Sequence, residues 1–257
     1  MNMNSENGLK AQHHIEEDFH DAKTQKEHEA RQAFFNGPIN FGVSKLIESV
    51  GDYDGKRVLE FGCGSDGLAI YLGSRGAVAD GFDISGECVR LGNERIKDYG
   101  IEDRVTLKKM SAEEMDYPPE TFDIVIGNAV LHHCDLQMAL NGIHRVLKKG
   151  GSGYFLEPLG HNIFLKIYRA LTPGERTATE KPFEFSDFRF FEDTFSEFEH
   201  EEMFLFSLIC YFWKIIIPNK KLFTWTFEKL IRLDTNLLKK MPFLRKHCWV
   251  VIFKFKK

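Results

Sequence analysis

Between residues 56 and 158, short apolar runs alternate with stretches in which apolar side chains recur every three or four positions. The short runs predict β-strands, and the stretches between them predict helices. The predicted strands are Arg57–Phe61, Val78–Phe82, a segment around Val105 and Leu107, Phe122–Ile126 and Tyr154–Leu156. The predicted helices are Leu68–Gly73, a segment from Ser85 to about Tyr99, and the segment that carries Leu136, Leu140, Ile143 and Leu147. Strands and helices that alternate at this spacing predict a parallel sheet with helices on both faces.

After Pro158 the pattern is less regular and rich in phenylalanine, of which the chain has 24. Met203–Ile217 has only Ser207 and Lys214 as polar residues. It is too short for a membrane-spanning helix of about 20 residues, so we expect a buried strand with its flanks. Later apolar positions predict a helix and then a final strand. They are Phe223, Phe227, Leu230, Ile231 and Leu238 for the helix, and Trp249, Val251, Phe253 and Phe255 for one face of the strand.

The N-terminal part is polar, with a flexible start and good helix formers from residue 11 to 33. Ile15, Phe19 and Ala22 form a thin apolar stripe, which suits a helix that lies on a domain surface. Four histidines fall in or near this helix: His13, His14, His20 and His28. Because no cysteines and no matching ligand cluster accompany them in the sequence, we predict no metal site.

Charge is distributed unevenly along the 257 residues, although the net charge is only −4. The segment 203–257 carries a net charge of about +10. Such a basic, aromatic part could meet an anionic membrane or a nucleic acid, or it could be a set of solvated helix faces over an aromatic core. Five separated cysteines without a CxxC pair favour a reducing compartment, and no secretory pattern is visible, so we expect a cytoplasmic protein.

The most informative stretch runs from Val58 to Gly67, where a predicted strand enters a glycine-rich turn before a helix. Glycines let the backbone approach a ligand closely, and the amides of a helix start point toward it. Asp83 follows Gly62 by 21 residues, at the end of the next strand. A carboxylate there can accept hydrogen bonds from both ribose hydroxyls, so the arrangement predicts a cofactor that contains adenosine.

Gly62, Gly64 and Gly67 also match the dinucleotide fingerprint, so a dehydrogenase is an alternative. Glu60 argues against it, because a carboxylate at the exit of the strand would repel a pyrophosphate. The repulsion is worth about 1–4 kcal/mol at a surface-like dielectric constant. The same carboxylate suits a cofactor with an ammonium and a sulfonium group, as in S-adenosylmethionine.

The chain resembles the class I S-adenosylmethionine-dependent methyltransferases from about Lys56 to Pro158. The resemblance rests on Glu60, Gly62, Gly64, Asp83 and the segments 111–113, 122–125, 128–133 and 145–151. It implies a seven-stranded, mostly parallel sheet whose last strand, near His247–Phe255, is antiparallel. It also implies a cofactor site that comprises Glu60, Gly62, Cys63, Gly64, Asp83, Ile84, Ser111, Ala112, Glu113 and Asn128. Two positions depart from the family: Asp66 replaces its third glycine, and Ser111 replaces the usual acid near the adenine.

A general base is needed only if the methyl acceptor arrives protonated. Candidates follow the fourth and fifth predicted strands, whose carboxyl ends border ligand sites in open α/β folds. We favour His161 and rank His133 second.

These observations predict methyl transfer to oxygen or nitrogen of a small, apolar or amphipathic acceptor. The expected parts are an N-terminal helix (1–36), a cofactor-binding core (37–158), a lid insertion with a sixth strand (159–240) and a last strand (241–257). We expect the insertion and the N-terminal helix to cover the acceptor, and weak association with anionic membranes. A nucleic-acid methyltransferase and a catalytically inactive partner subunit remain the alternatives; we expect no nucleic-acid partner.

Overall fold

A computed structural model describes residues 8–22, 41–65, 67–171, 177, 179–210 and 219–257, and it contains a seven-stranded sheet. The strands are β1 (Arg57–Phe61), β2 (Val78–Asp83), β3 (Val105–Lys109), β4 (Phe122–Asn128), β5 (Leu147–Pro158), β6 (Glu197–Met203) and β7 (Val250–Lys256). Their order is β3-β2-β1-β4-β5-β7-β6, and β7 runs antiparallel to both of its neighbours. The predicted α/β class, the five early strands and the antiparallel last strand are confirmed.

Helices flank the sheet, and the three predicted within residues 56–158 and the one predicted around Phe223–Leu238 lie where expected, whereas the helices Phe41–Val50, Ile163–Leu171 and Phe188–Thr194 were not predicted. They are α1 (residues 8–22), α2 (Phe41–Val50), α3 (Leu68–Gly73), α4 (Gly86–Tyr99), α5 (Leu136–Val146), α6 (Ile163–Leu171), α7 (Phe188–Thr194) and α8 (Lys220–Lys240). The Ser85 side chain accepts a hydrogen bond from the Cys88 amide and so caps α4, as its sequence position predicts. The predicted continuation of α1 to residue 33 lies outside the described residues.

The chain order reverses at β1, which pairs with β2 on one side and β4 on the other. Phe61 at the end of β1 is level with Phe82 and Gly127. Loops that leave the carboxyl ends of these strands therefore diverge and leave a crevice, which is where ligands bind in open α/β sheets.

The helix α1 lies across this carboxyl edge. Its Asp21 carboxylate accepts hydrogen bonds from the Ser85 hydroxyl and, at 3.2 Å, from the Glu87 amide. Its Gln12 side chain donates to the main-chain carbonyl of His133 over 2.7 Å. Contacts to loops after both β2 and β4 hold α1 over the crevice between them.

Phenylalanines between residues 183 and 198 pack into the core rather than over the crevice. Phe191 and Phe195 lie with their ring centroids 4.6 Å from Phe253 and 4.1 Å from Phe255, respectively. Phe188 is likewise buried beside Phe253. These side chains therefore contribute to the core, and not to the expected cover of the acceptor.

The strand expected within Met203–Ile217 is wrong over its described residues, 203–210. The strand β6 lies earlier and ends at Met203, because the backbone turns at Phe204, where φ is 65°. The buried Asp234 carboxylate from α8 then accepts hydrogen bonds from the next three backbone amides, at 2.9–3.0 Å. Such a turn satisfies the amides without a strand partner. Residues 211–217 lie outside the described part of the chain.

Several large apolar side chains remain exposed outside the core. On α6 these are Ile163, Phe164, Ile167 and Leu171. In the described part of the chain, no helix combines the length and the apolar character needed to cross a membrane.

Candidate functional site

A cavity of about 520 Å³ occupies the crevice between the β1, β2 and β4 loops and α1. Of the ten predicted cofactor-binding residues, nine line it. They are Glu60, Gly62, Cys63, Gly64, Asp83, Ile84, Ala112, Glu113 and Asn128. The tenth, Ser111, does not line the cavity, and its hydroxyl is buried without a hydrogen-bond partner.

The turn after β1 needs its glycines for steric reasons. Gly62 and Gly64 have φ values of 70° and 54°, a region that disfavours other residues. A Cβ atom on Gly62 would also lie 2.4 Å from Val130 Cγ2. On Gly67 it would lie 2.2 Å from Glu60 Oε2 and 2.4 Å from the Cys63 carbonyl oxygen. The glycine that follows Asp66 is therefore the one whose missing side chain makes room for Glu60.

Glu60 is buried, and both of its carboxylate oxygens bind the start of α3. They accept hydrogen bonds of 2.6 Å from the amides of Leu68 and Ala69. Burial raises the pKa of Glu60 to about 8, against the effect of these two amides, and the nearby Asp83 adds to the rise. Glu60 thus fixes the turn to the helix while one side of it borders the cavity.

Asp83 joins the two loops that form the floor of the cavity. One carboxylate oxygen accepts from the Gly64 amide at 2.8 Å, and the other accepts from the Ser85 amide at 2.9 Å. Each oxygen keeps a second lone pair, so Asp83 can still accept hydrogen bonds from a ligand hydroxyl.

Glu113 also lies at the wall of the cavity and contacts α1. Its Oε1 accepts from the Asp135 amide at 2.9 Å, and its Oε2 lies 3.0 Å from His13 Nε2. The segment 111–113, which the family resemblance places near the adenine, is thus connected to the helix α1 that covers the cavity.

The two predicted bases occupy different surroundings. His133 lines the cavity, whereas His161 does not and instead lies 6.5 Å from the ring of Phe185, between centroids. The reason is the course of the chain after β5: the amides of Leu159 and Gly160 bind the carbonyls of Trp249 and Phe183. These bonds direct the following residues toward β7 and away from the crevice, so the structure does not bring His161 to the site.

His132, beside His133, binds a buried carboxylate instead of facing the cavity. Its Nδ1 lies 2.7 Å from Glu157 Oε2, and Glu157 Oε1 accepts from the amides of Val130 and Leu131. Glu157 thereby stabilises the loop that presents His133.

Four cavity residues on α1 were not predicted: Gln12, His13, Glu16 and His20. Gln12, Glu16 and His20 follow one another at intervals of four residues, which puts them on one helix face. This polar stripe was readable in the sequence beside the apolar one, but the expectation that the helix covers the acceptor did not specify which face of the helix meets the cavity.

Comparison with known proteins agrees with this geometry. Residues 59–155 match a family model described as a methyltransferase domain. This segment runs from β1 into β5 and contains most of the cavity-lining residues. It is a class I methyltransferase domain.

Relatives of the methyltransferase domain include small-molecule enzymes. The ubiquinone/menaquinone biosynthesis C-methyltransferase UbiE of Shewanella sediminis is 30% identical over 151 residues, which cover 54% of this chain and 60% of that protein. The phosphatidylethanolamine N-methyltransferase of Cereibacter sphaeroides is 35% identical over 98 residues, 38% of this chain and 48% of that protein. The chain thus spans about half to three fifths of the length of these relatives.

Solved structures share the fold at lower identity. The phosphoethanolamine N-methyltransferase 2 of Haemonchus contortus, solved with phosphomonomethylethanolamine and S-adenosylhomocysteine, aligns with a TM-score of 0.62 at 20% identity. The alignment covers 84% of this chain and 52% of that one.

The raised pKa of Glu60 predicts how the stability of the methyltransferase domain depends on pH. Between pH 4.5 and 8 the folded chain keeps a proton on Glu60 that the unfolded chain has lost. The free energy of unfolding should therefore fall as the pH rises through this window, by up to about 1.4 kcal/mol per pH unit. Urea unfolding from pH 5 to 8 measures this slope.

Glu60→Gln should flatten that slope, because glutamine does not titrate. Glu102→Gln, an exposed substitution of the same kind, should leave it unchanged. Equal slopes for the wild type and Glu60→Gln would contradict the assignment of the raised pKa to Glu60.

Proposed function

We propose that the protein transfers a methyl group from S-adenosylmethionine to a small-molecule acceptor. The observation that carries this proposal is the cavity at the carboxyl edge of a class I methyltransferase domain, lined by Glu60, the Gly62–Gly64 turn and Asp83. Gly62 and Gly64 line the cavity without side chains, so a ligand can approach the backbone of the turn closely.

Each end of the cavity suits a different part of this cofactor. Asp83 can accept from ribose hydroxyls, and Ala112 with Glu113 borders the expected adenine end. The Asp83 carboxylate gives the turn negative character, which attracts an ammonium and a sulfonium and disfavours a pyrophosphate. A cation bound there would also stabilise the ionised form of Glu60. The cofactor supplies an electrophilic methyl carbon bound to a positively charged sulfur.

The chain's own residues then orient the acceptor and assist the loss of its proton. Held by Asp83 and the Gly62–Gly64 turn, the cofactor would supply a methyl carbon to which a lone pair of the acceptor could bond, and the electron pair of the broken carbon–sulfur bond would stay on sulfur. The displacement requires an in-line approach, so orientation supplies much of the acceleration. His133 is the candidate that lines the cavity, and we propose that it assists departure of the acceptor proton.

For the acceptor we propose oxygen or nitrogen of a small, amphipathic molecule. The names of the relatives support the small-molecule class, as they refer to quinone biosynthesis and to phosphatidylethanolamine. Those relatives are named as C- and N-methyltransferases, so the mass of the product and the position of its new methyl group decide the acceptor atom.

Cofactor binding is the first test. S-adenosylmethionine should bind with micromolar affinity by calorimetry, and NAD should not bind measurably. Asp83→Asn should weaken binding about ten- to hundredfold, because a charge-assisted hydrogen bond contributes about 1.5–3 kcal/mol.

Asp80→Asn is the matched control for Asp83→Asn. Asp80 lies on the same strand as Asp83 but forms an ion pair with Arg57. Asp80 and Arg57 do not line the cavity. Comparable NAD affinity, or equal losses for the two variants, would refute the proposed cofactor site.

Replacement of His133 is the second test. His133→Ala should lower kcat about 10²- to 10⁴-fold and leave the affinity for S-adenosylmethionine nearly intact. His161→Ala should retain the turnover of the wild type, because His161 lies away from the cavity. Turnover that falls with His161→Ala but not with His133→Ala would reverse the assignment of the base. No methyl transfer by the wild type into any acceptor of a cell extract would favour the alternative of a catalytically inactive partner subunit.

We also propose weak association with anionic membranes, through the apolar face of α6 and nearby basic residues. Asn162 at the start of α6 donates to the His247 carbonyl over 2.7 Å, which joins this helix to the basic segment 239–246. Lys239, Lys240 and Lys246 are exposed there. Apolar side chains flanked by cations match the interface of an anionic bilayer.

Sedimentation with vesicles of anionic or neutral lipid tests this association. Anionic vesicles should bind more protein than neutral ones, because each Lys or Arg near an anionic surface contributes about 1 kcal/mol of attraction. Added salt should weaken this binding, because it screens the attraction. Replacing Lys239, Lys240, Arg245 and Lys246 by Gln should abolish the preference, and Phe164→Ser with Ile167→Ser should weaken binding to both lipids. Equal partitioning of the wild type to both vesicle types, or none, would reject the proposal.

A further inference from the structure

Three potential metal ligands converge where α1 meets the loop after β4. Glu16 Oε2 lies 3.1 Å from His133 Nδ1 and 3.6 Å from His20 Nε2. One ligand atom from each of these residues lies within 4.8 Å of the other two. Glu16 and His20 are one helical turn apart, so a single rigid helix presents both.

Two of these atoms are buried and lack a hydrogen bond. Glu16 Oε2 and His133 Nδ1 are near enough to each other, but their orientation does not satisfy hydrogen-bond geometry. The Glu16 side chain is only 6% exposed. Buried polar atoms without partners are uncommon in folded proteins, and a bound cation would satisfy both of these atoms at once.

The other oxygen of Glu16 is held in place. Oε1 accepts hydrogen bonds from the Thr177 hydroxyl, at 2.7 Å, and from the Thr179 hydroxyl. This support fixes the carboxylate so that Oε2 faces the two imidazoles, as outer-shell partners do for metal-bound carboxylates.

Two of the three separations are close to those of a tetrahedral cation site, and the third, between the two imidazoles, is within 4.8 Å. Zinc lies 2.0–2.2 Å from nitrogen and oxygen ligands, so two ligands of a tetrahedral site are about 3.3–3.5 Å apart. The measured 3.1 and 3.6 Å lie on either side of that distance. Two histidines and one glutamate, with a fourth position left open, form a known donor set of catalytic zinc.

We propose that Glu16, His20 and His133 bind a divalent transition-metal cation such as Zn²⁺ at the wall of the cavity. All three residues line the cavity, so the open position of the cation is accessible to an acceptor there. This inference deepens the proposed function: a hydroxyl bound to the cation loses its proton to water more readily, and the resulting oxygen anion is the better nucleophile. His133 then assists proton loss as a ligand of the cation.

A second group, His132, His133 and Glu180, is less suitable. His132 Nδ1 already binds Glu157, and Glu180 is paired with Arg169. The guanidinium charge next to Glu180 opposes a cation at that position.

Calorimetric titration of the full chain with Zn²⁺, without any methyl donor, tests the site. The wild type should bind one equivalent with a Kd below about 1 µM. Glu16→Gln and His20→Ala should each weaken this binding at least about 100-fold, since each removes a ligand. His14→Ala is the matched control, because His14 lies exposed on the same helix outside the cluster, and it should bind like the wild type.

Titration of S-adenosylmethionine into the same variants separates this proposal from the cofactor proposal. A far-UV circular dichroism spectrum like that of the wild type shows that Glu16→Gln and His20→Ala are folded, and lost Zn²⁺ binding in them then supports the site whether or not they bind the cofactor. Thr177→Val should weaken Zn²⁺ binding about tenfold, through the carboxylate that it orients. Absence of a submicromolar site in the wild type, or equal Zn²⁺ binding by Glu16→Gln and the wild type, would overturn the metal site and leave an ion-pair contact between α1 and His133.

Discussion

The hydrogen bonds that Glu60 accepts from the amides at the start of α3 are the constraint on which the site depends. A carboxylate buried at the end of β1 must find donors, and the free amides of Leu68 and Ala69 are the nearest ones available. For these amides to reach Glu60, the chain has to turn sharply after Phe61. The backbone at residue 67 then lies so close to the Glu60 carboxyl group that only glycine fits there. The turn, the entry of α3 and the floor of the cavity thus follow from one buried acid.

Asp83 extends the same principle to the neighbouring strand. Its two bonds, to the Gly64 and Ser85 amides, fix the first turn relative to the second. Two carboxylates near each other in a cavity repel, which contributes to the raised pKa of Glu60. A cationic ligand between them would relieve that repulsion, so the apo site is electrostatically prepared for positive charge.

Local sequence patterns predicted most of the parallel part of the sheet, because alternation and periodicity reflect burial of each element on its own. They failed where a distant residue decides the local backbone. Met203 begins an apolar run, yet the turn after it is stabilised by Asp234, thirty-one positions later. Burial of Phe191 and Phe195 against β7 likewise depends on the order of the strands at that end of the sheet, which composition alone does not contain.

The site was predicted unevenly for the same reason. Glu60, the glycines and Asp83 lie within a continuous motif, whereas His133 and His161 both follow strands that end at the same edge. Their different positions result from the hydrogen bonds of Leu159 and Gly160 to other parts of the chain. The polar face of α1 is harder still to predict, since its partners lie about a hundred positions away.

The phenylalanines of residues 183–198 pack in the core, so in the described part of the chain the helix α1 covers the cavity. Its contacts differ in kind from those of the core helices: carboxylates, imidazoles and a glutamine bind the loops, and Ile15 remains exposed. Polar contacts of this type exchange with water at a small net cost in free energy, unlike the burial of an apolar helix face. A cover held in this way can leave and return without disturbing the sheet, so the cavity can be accessible to ligands and still be closed during the reaction.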